Sequence, residues 1–264
     1  MGLSEFFLPE RLPRQIIYAG DRHADIVRLR QGKVAESASL EGASLADNAD
    51  AAWDAIAPRL RDEDTGIVFN AAPFIYNFFE FDKLPWQKKT LRELVSWRLQ
   101  KIFPENIEAY EHRFFRLDAR RVLSILVRKA LLEKTERLFA ERRLPLTYIG
   151  NSTMEILSRS RRAKAAPDFF LESDRAGCTL AFLSRRSPIY IRKFKSAAVA
   201  DTVDEITKTV NFVRNGYGIE PRHYWLIEHA DPAAAAAMEE RLADAGFTRL
   251  RSGLGTAPHL PECP

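Results

Sequence analysis

Residues 65–116 read TGIVFNAAPFIYNFFEFDKLPWQKKTLRELVSWRLQKIFPENIEAYEHRFFR. Ile67, Val68 and Phe69 make a short apolar run of the kind that forms a buried strand, and Phe74 to Phe81 follows as an aromatic strand. Leu84-Pro85-Trp86 stops it. Leu91, Leu94, Val95, Leu99 and Ile102 then recur at helical spacing, while Lys88, Lys89, Arg92, Glu93 and Gln100 fall on other faces, so Trp86 to Phe103 is expected as an amphipathic helix. Pro85 suits its first turn and Pro104 its end. Tyr110 to Arg116 returns as a strand, which makes the stretch an excursion from a sheet that carries one helix.

The composition is that of a globular chain: 264 residues, 46% hydrophobic and 29% charged, enough for one large domain or two lobes. No apolar run approaches the ~18 residues of a membrane-crossing helix. The start, MGLSEFFLPE, lacks the basic-then-apolar layout of a signal peptide, and cytoplasmic residence is the expectation. With two cysteines, Cys178 and Cys263, neither a disulfide framework nor a zinc ligand set is at hand, and no metal is expected.

The net charge of +4 hides an uneven distribution. Between Glu36 and Asp64 the balance is −6, and between Arg113 and Lys164 it is +9. Such a basic region can orient a protein on an acidic partner or on anionic headgroups. It lacks the aromatic-interleaved strand of an RNA binder, so nucleic acid is not an expected partner.

Working outward, residues 1–14 read as an arm without secondary structure. Gln15–Gly20, Ala24–Arg30 and Lys33–Leu40 read as strands, Ala46–Arg61 as a helix, and Ile67–Asn70 as a further strand. After the excursion come a strand over Arg121–Val127, a helix over Lys129–Arg142, a strand within RRLPLTYIGN, and a helix from Met154 to Arg162 that Asn151, Ser152 or Thr153 can cap. Arg159–Pro167 is the most linker-like stretch. The second half repeats the opening: strands over Asp168–Glu172, Cys178–Ser184 and Ile189–Phe194, a helix over Asp201–Asn215, and a strand over His223–Ile227. Asp231-Pro232 caps a last helix that Gly246 ends, and 252–264 reads as a disordered tail. The expected class is α/β with mixed sheets.

The order of strand, aromatic strand, Leu-Pro, amphipathic helix, IFPENIEAYEHRFFRL, strand and helix resembles the actin-like PilM proteins of type IV pilus assembly. It is similar to the cytoplasmic domain of the type II secretion L-protein as well, over about Gln15 to Leu250. The resemblance implies an actin-like fold of two ribonuclease-H-like lobes: the first over 15–162 with an inserted subdomain at 73–116, the second, truncated, over 168–251. The family has an Arg where this chain has Asn77, and Leu-Pro where it has Phe81-Asp82.

In nucleotide-binding members, each lobe offers a turn whose small residues let backbone N–H groups approach phosphate, with an Asp holding the metal. As aligned by the resemblance, Tyr18 stands in place of that Asp and Asp25 in place of a Lys, with Gly20 retained. In the second lobe Glu172 replaces the Asp and Asp174 a Gly, Ala197-Ala198 stands for a glycine pair, and Glu228-His229 ends the last core strand. No cofactor and no catalytic residue is therefore expected. Asp21-Arg22-His23 and Glu228-His229 lack a neighbouring nucleophile, and Glu172 with Asp174 lacks a third metal ligand.

The aromatic strand is read either as core or as one wall of a groove for an extended peptide. The resemblance implies the latter, for a cytoplasmic segment of a bitopic inner-membrane protein, and the candidate partner-binding side chains are Phe74, Tyr76, Phe78, Leu84, Trp86 and Trp97. It further suggests a secretion or pilus ATPase and self-association as partners, and attachment to the inner membrane through partners. The expected function is a non-catalytic scaffold; the alternative is an actin-like ATPase or kinase with divergent phosphate loops.

Overall fold

A computed structural model describes residues 13–250 except 21–22, 31–32, 43–44, 46–48, 104–105, 161–164, 175–176, 196–197 and 229–231. Expectations for the N-terminal arm through Leu12, for Asp231 and for the tail fall outside these residues. The chain divides into two compact units, one of Met1–Ala72 with Phe139–Pro264 and one of Pro73–Leu138.

The first unit holds two five-stranded sheets of the same design. In one, β1 (Gln15–Ala19), β2 (His23–Arg30), β3 (Lys33–Glu41), β4 (Thr65–Phe69) and β8 (Leu146–Asn151) lie in the order β3-β2-β1-β4-β8. The β1–β2 and β2–β3 pairs are antiparallel, and β4 and β8 join parallel. In the other, β9 (Phe169–Asp174), β10 (Gly177–Ser184), β11 (Ser187–Phe194), β12 (His223–Glu228) and β13 (Thr248–Arg249) lie in the order β11-β10-β9-β12-β13 with the same directions. The repeat read in the sequence thus extends to a fifth strand. That strand is two residues long, too short to leave an apolar pattern.

Helices fill the parallel connections. α1 (Ala49–Ile56) buries Trp53 and Ile56 and gives way to a 3-10 turn, Ala57–Arg59. It ends before the expected Arg61 because Pro58 has no N–H to continue the ladder. Trp53 packs on Phe139, ring centres 4.6 Å apart. α5 (Val199–Tyr217) buries Val203, Ile206, Val210 and Val213 against Phe169, Leu171 and Leu180 of the second sheet. It stops at Gly218, whose left-handed φ of 64° suits a residue without Cβ. α6 (Pro232–Asp244) adds Met238 and Leu242 to the same core, and Gly246, at φ 87°, turns the chain back into β13. α4 (Ser152–Ser160) presses Ile156 and Leu157 onto the opposite face of this sheet, against Phe170, Ala181 and Trp225.

The second unit is a three-stranded antiparallel sheet in the order β5-β7-β6, built from β5 (Phe74–Glu80), β6 (Tyr110–Arg116) and β7 (Arg121–Arg128), with α2 (Lys88–Ile102) on one face. It runs past Arg116, the limit expected for the insertion, because β7 is its central strand and its hydrogen bonds run to both neighbours. α3 (Lys129–Glu141) carries the chain from Leu138 into Phe139 of the first unit. Among the described residues no helix is long and apolar enough to cross a membrane.

Candidate functional site

The two sheets of the first unit meet at Glu172. Its side chain, on β9, is 2% exposed. Oε1 accepts hydrogen bonds from the Tyr18 hydroxyl at 3.2 Å, the Ala71 N–H at 3.2 Å and the Ser152 hydroxyl at 2.5 Å, and Oε2 accepts from the Thr153 hydroxyl at 3.3 Å. Four donors from β1, from the residues after β4 and from the start of α4 thus converge on one carboxyl group of the other sheet. A buried polar group has to be satisfied in this way, and these donors would otherwise be open to an anionic ligand. A second tie runs from Lys193 Nζ to the Ala72 carbonyl at 2.5 Å.

The hydroxyls of Ser152 and Thr153, expected as caps of α4, serve Glu172 instead. Asn151 does the capping, with Oδ1 accepting from the Met154 N–H at 3.1 Å. The β1–β2 turn is filled as well. A Cβ on Gly20 would lie 2.3 Å from the His23 ring, so the opening a glycine leaves for close approach is occupied by an imidazole. His23 Nε2 stands 3.7 Å from the Asp25 carboxylate, and its ring centre 6.0 Å from that of Tyr18. Ala198 begins α5 as an extended capping residue. Asp21, Arg22, Ala197 and His229, and the side chains of Asp174 and Glu228, lie outside the described residues.

An acid–imidazole pair that the sequence reading missed joins Asp168 and His223, 55 positions apart. Asp168 Oδ2 accepts from the N–H groups of Arg222 and His223 at 2.9 and 2.8 Å and lies 3.1 Å from His223 Nδ1. Its chief role is to pin the entry of β12. Among the described residues no three His, Cys, Asp or Glu side chains converge as metal ligands.

The six candidate partner-binding residues fall on different surfaces of the second unit. Ile75, Phe79 and Phe81 pack under α2, so the alternation of a strand sends Phe74, Tyr76 and Phe78 to the other face. There the register aligns Tyr76, Ile125 and Arg113 in one row and Phe78, Leu123 and Phe115 in the next. Phe74, Leu123, Ile125 and Val127 are all 2% exposed or less, whereas Tyr76 and Phe78 are half-buried. Leu84 is core, packed with Leu91, Val95 and Leu99 of α2. Trp97 and Trp86 are 48% and 94% exposed. Asn77 faces α2 opposite Ser124 in the register; its Nδ2 and the Ser124 Oγ are buried without a partner among the described residues.

Behind α2, Ser96 Oγ and His112 Nε2 are 3.3 Å apart. Burial pushes the His112 imidazole below its ordinary pKa; Glu111 opposes this, and Arg92, Arg113 and Lys129 add to it.

No family model and no curated protein matches the sequence. Solved structures do match the fold. The PilM component of a PilM–PilN type IV pilus biogenesis complex superposes with a TM-score of 0.71 at 16% identity, covering 92% of this chain and 89% of that one. The cytoplasmic domain of EpsL, an inner-membrane component of the type II secretion system of Vibrio cholerae, gives 0.59 at 8% identity, covering 93% and 99%. A Bacteroides thetaiotaomicron protein of actin-like ATPase fold gives 0.55 at 8%, covering 89% and 90%. The chain therefore has the actin-like fold shared by the PilM and EpsL cytoplasmic-domain structures.

Proposed function

We propose that this protein is a non-catalytic scaffold of a type IV pilus or type II secretion platform. It would hold the cytoplasmic segment of a bitopic inner-membrane partner. The observation that carries the reading is Glu172: four donors from one sheet of the actin-like body and the start of α4, which could bind a phosphate, are taken up by a buried carboxyl group of the other sheet. The His23 ring over Gly20 supports it. The partner class rests on the likeness to PilM, whose structure is a complex with PilN, and to EpsL, an inner-membrane component.

Within the second unit, Tyr76 and Phe78 are the aromatic side chains of β5 best suited to seat an extended apolar peptide. They stand half-buried beside a buried floor of Leu123 and Ile125, and aromatic anchors at such positions dominate many interfaces. Phe74 and Leu84 act as core.

Calorimetry at millimolar Mg-ATP is expected to show no binding, and a pull-down with the partner's cytoplasmic segment is expected to lose capture on Phe78→Ala while the fold persists by circular dichroism. A low-micromolar ATP dissociation constant would overturn the scaffold reading in favour of a divergent ATPase or kinase.

A further inference from the structure

Helix α2 presents an unusual outer surface. Its inner side, Leu91, Val95 and Leu99, is buried, yet Trp97 and Ile102 are 48% and 51% exposed, and Trp86, just before the helix, is 94% exposed. Of the exposed large apolar side chains among the described residues, Trp86 is the most open.

Trp86 is not at the tip of a loose loop. Leu84 before it is buried, and its N–H donates to the Ala119 carbonyl at 3.1 Å. The Pro85 carbonyl accepts from the Arg116 guanidinium, and Leu91 after it is locked in the core. Both flanks are pinned, so the indole is held out by construction.

Cations surround the rings. Residues 82–102 carry six bases, Lys83, Lys88, Lys89, Arg92, Arg98 and Lys101, against two acids, Asp82 and Glu93. Lys101 Nζ lies 3.9 Å over the Trp97 ring, and the Arg98 guanidinium 5.7 Å from both Trp97 and Phe81. Among the described residues none of the six forms an ion pair. Lys89, Trp97 and Lys101 lie along one outward ridge at steps of four residues or twice four.

We propose that this face docks directly on an anionic phospholipid surface, with Trp86 and Trp97 seated at the headgroup level and the surrounding lysines and arginines on the lipid phosphates. Indoles favour that boundary because one edge is apolar and the N–H is polar, and unpaired bases near it are drawn by the negative surface potential. Charge and aromatic geometry together select a lipid surface: an acidic protein partner would account for the bases but not for an isolated, fully projecting Trp86. The surface would hold the protein at a membrane without any partner, which separates it from the peptide site on β5.

The purified chain alone, mixed with phosphatidylcholine vesicles carrying phosphatidylglycerol or with pure phosphatidylcholine vesicles, tests this. Only the former are expected to co-sediment it, with binding lost at high salt. Lys88→Glu with Lys89→Glu should weaken vesicle binding about tenfold or more, since each base near the surface contributes on the order of one kcal/mol. The four tryptophans give a second readout, because Trp53 and Trp225 are 1% and 3% exposed and only Trp86 and Trp97 can meet lipid. Brominated lipid should therefore quench fluorescence in the native chain and not in Trp86→Phe/Trp97→Phe. Equal binding to neutral vesicles, unchanged binding by the charge-reversal variant, or capture of the partner's peptide by this face instead of lipid would each overturn the proposal. The peptide pull-down on Phe78→Ala is unaffected by these outcomes.

Discussion

Glu172 and the outer face of α2 are opposites. At Glu172 the protein satisfies itself: one carboxyl group, nearly without solvent, takes four donors from elements up to 154 positions away. On and just before α2, bases stand without ion pairs among the described residues, and an indole is held out in solvent on pinned flanks. The central acid of the actin-like body already accepts from four of the protein's own donors. The exposed indole and the bases of α2 lie instead on the inserted unit.

The largest effect that could break this contrast is at Glu172. Glu172→Ala removes the acceptor that buried hydroxyl and N–H donors share, and urea unfolding should show a loss of about 3 kcal/mol. A loss within about 0.5 kcal/mol would mean that solvent already reaches those donors, and the cleft would have to be regarded as open.

A smaller effect concerns how firmly α2 is backed. The His112 imidazole is depressed in the folded state, so it is neutral there at a pH where the unfolded chain already takes up a proton. Its contribution is complete above the unfolded value, about 6.5, and is lost as pH falls below it. Thermal unfolding should thus weaken between neutral pH and pH 5, and His112→Gln should flatten that slope. An unaltered slope would place the acid sensitivity elsewhere.

The smallest expected effect is the one that defines the open face. Trp86→Ala should change unfolding stability by no more than about 0.5 kcal/mol, since so little of the side chain is removed from water on folding. A large loss would show that the indole is covered in solution, by another copy or by a segment of the chain.

Much of the architecture was legible because it rests on local periodicity. Val203, Ile206, Val210 and Val213 announce a helix stripe and are buried as one; the alternation of β5 divides its aromatics between two faces. The strand-strand-strand-helix-strand repeat was readable for the same reason. Boundaries shifted where a single residue intervened, as with Pro58 in α1, or where hydroxyls expected in a cap found a distant acceptor, as at Ser152 and Thr153.

What the sequence by itself determined was the order and pattern of elements; that Tyr18 and Glu172 stand in place of the Asp residues of nucleotide-binding members is what the resemblance implies. It could not determine that these two replacements are hydrogen-bonded to each other, because strand periodicity says which face a side chain takes and nothing about which remote strand it meets. Nor could it tell Leu84 from Trp86: both are apolar and two positions apart, yet one is 5% and the other 94% exposed. Tertiary packing decided that, since the chain bends on either side of Leu84-Pro85 and one side chain is drawn into the core under α2 while the other is left outside it.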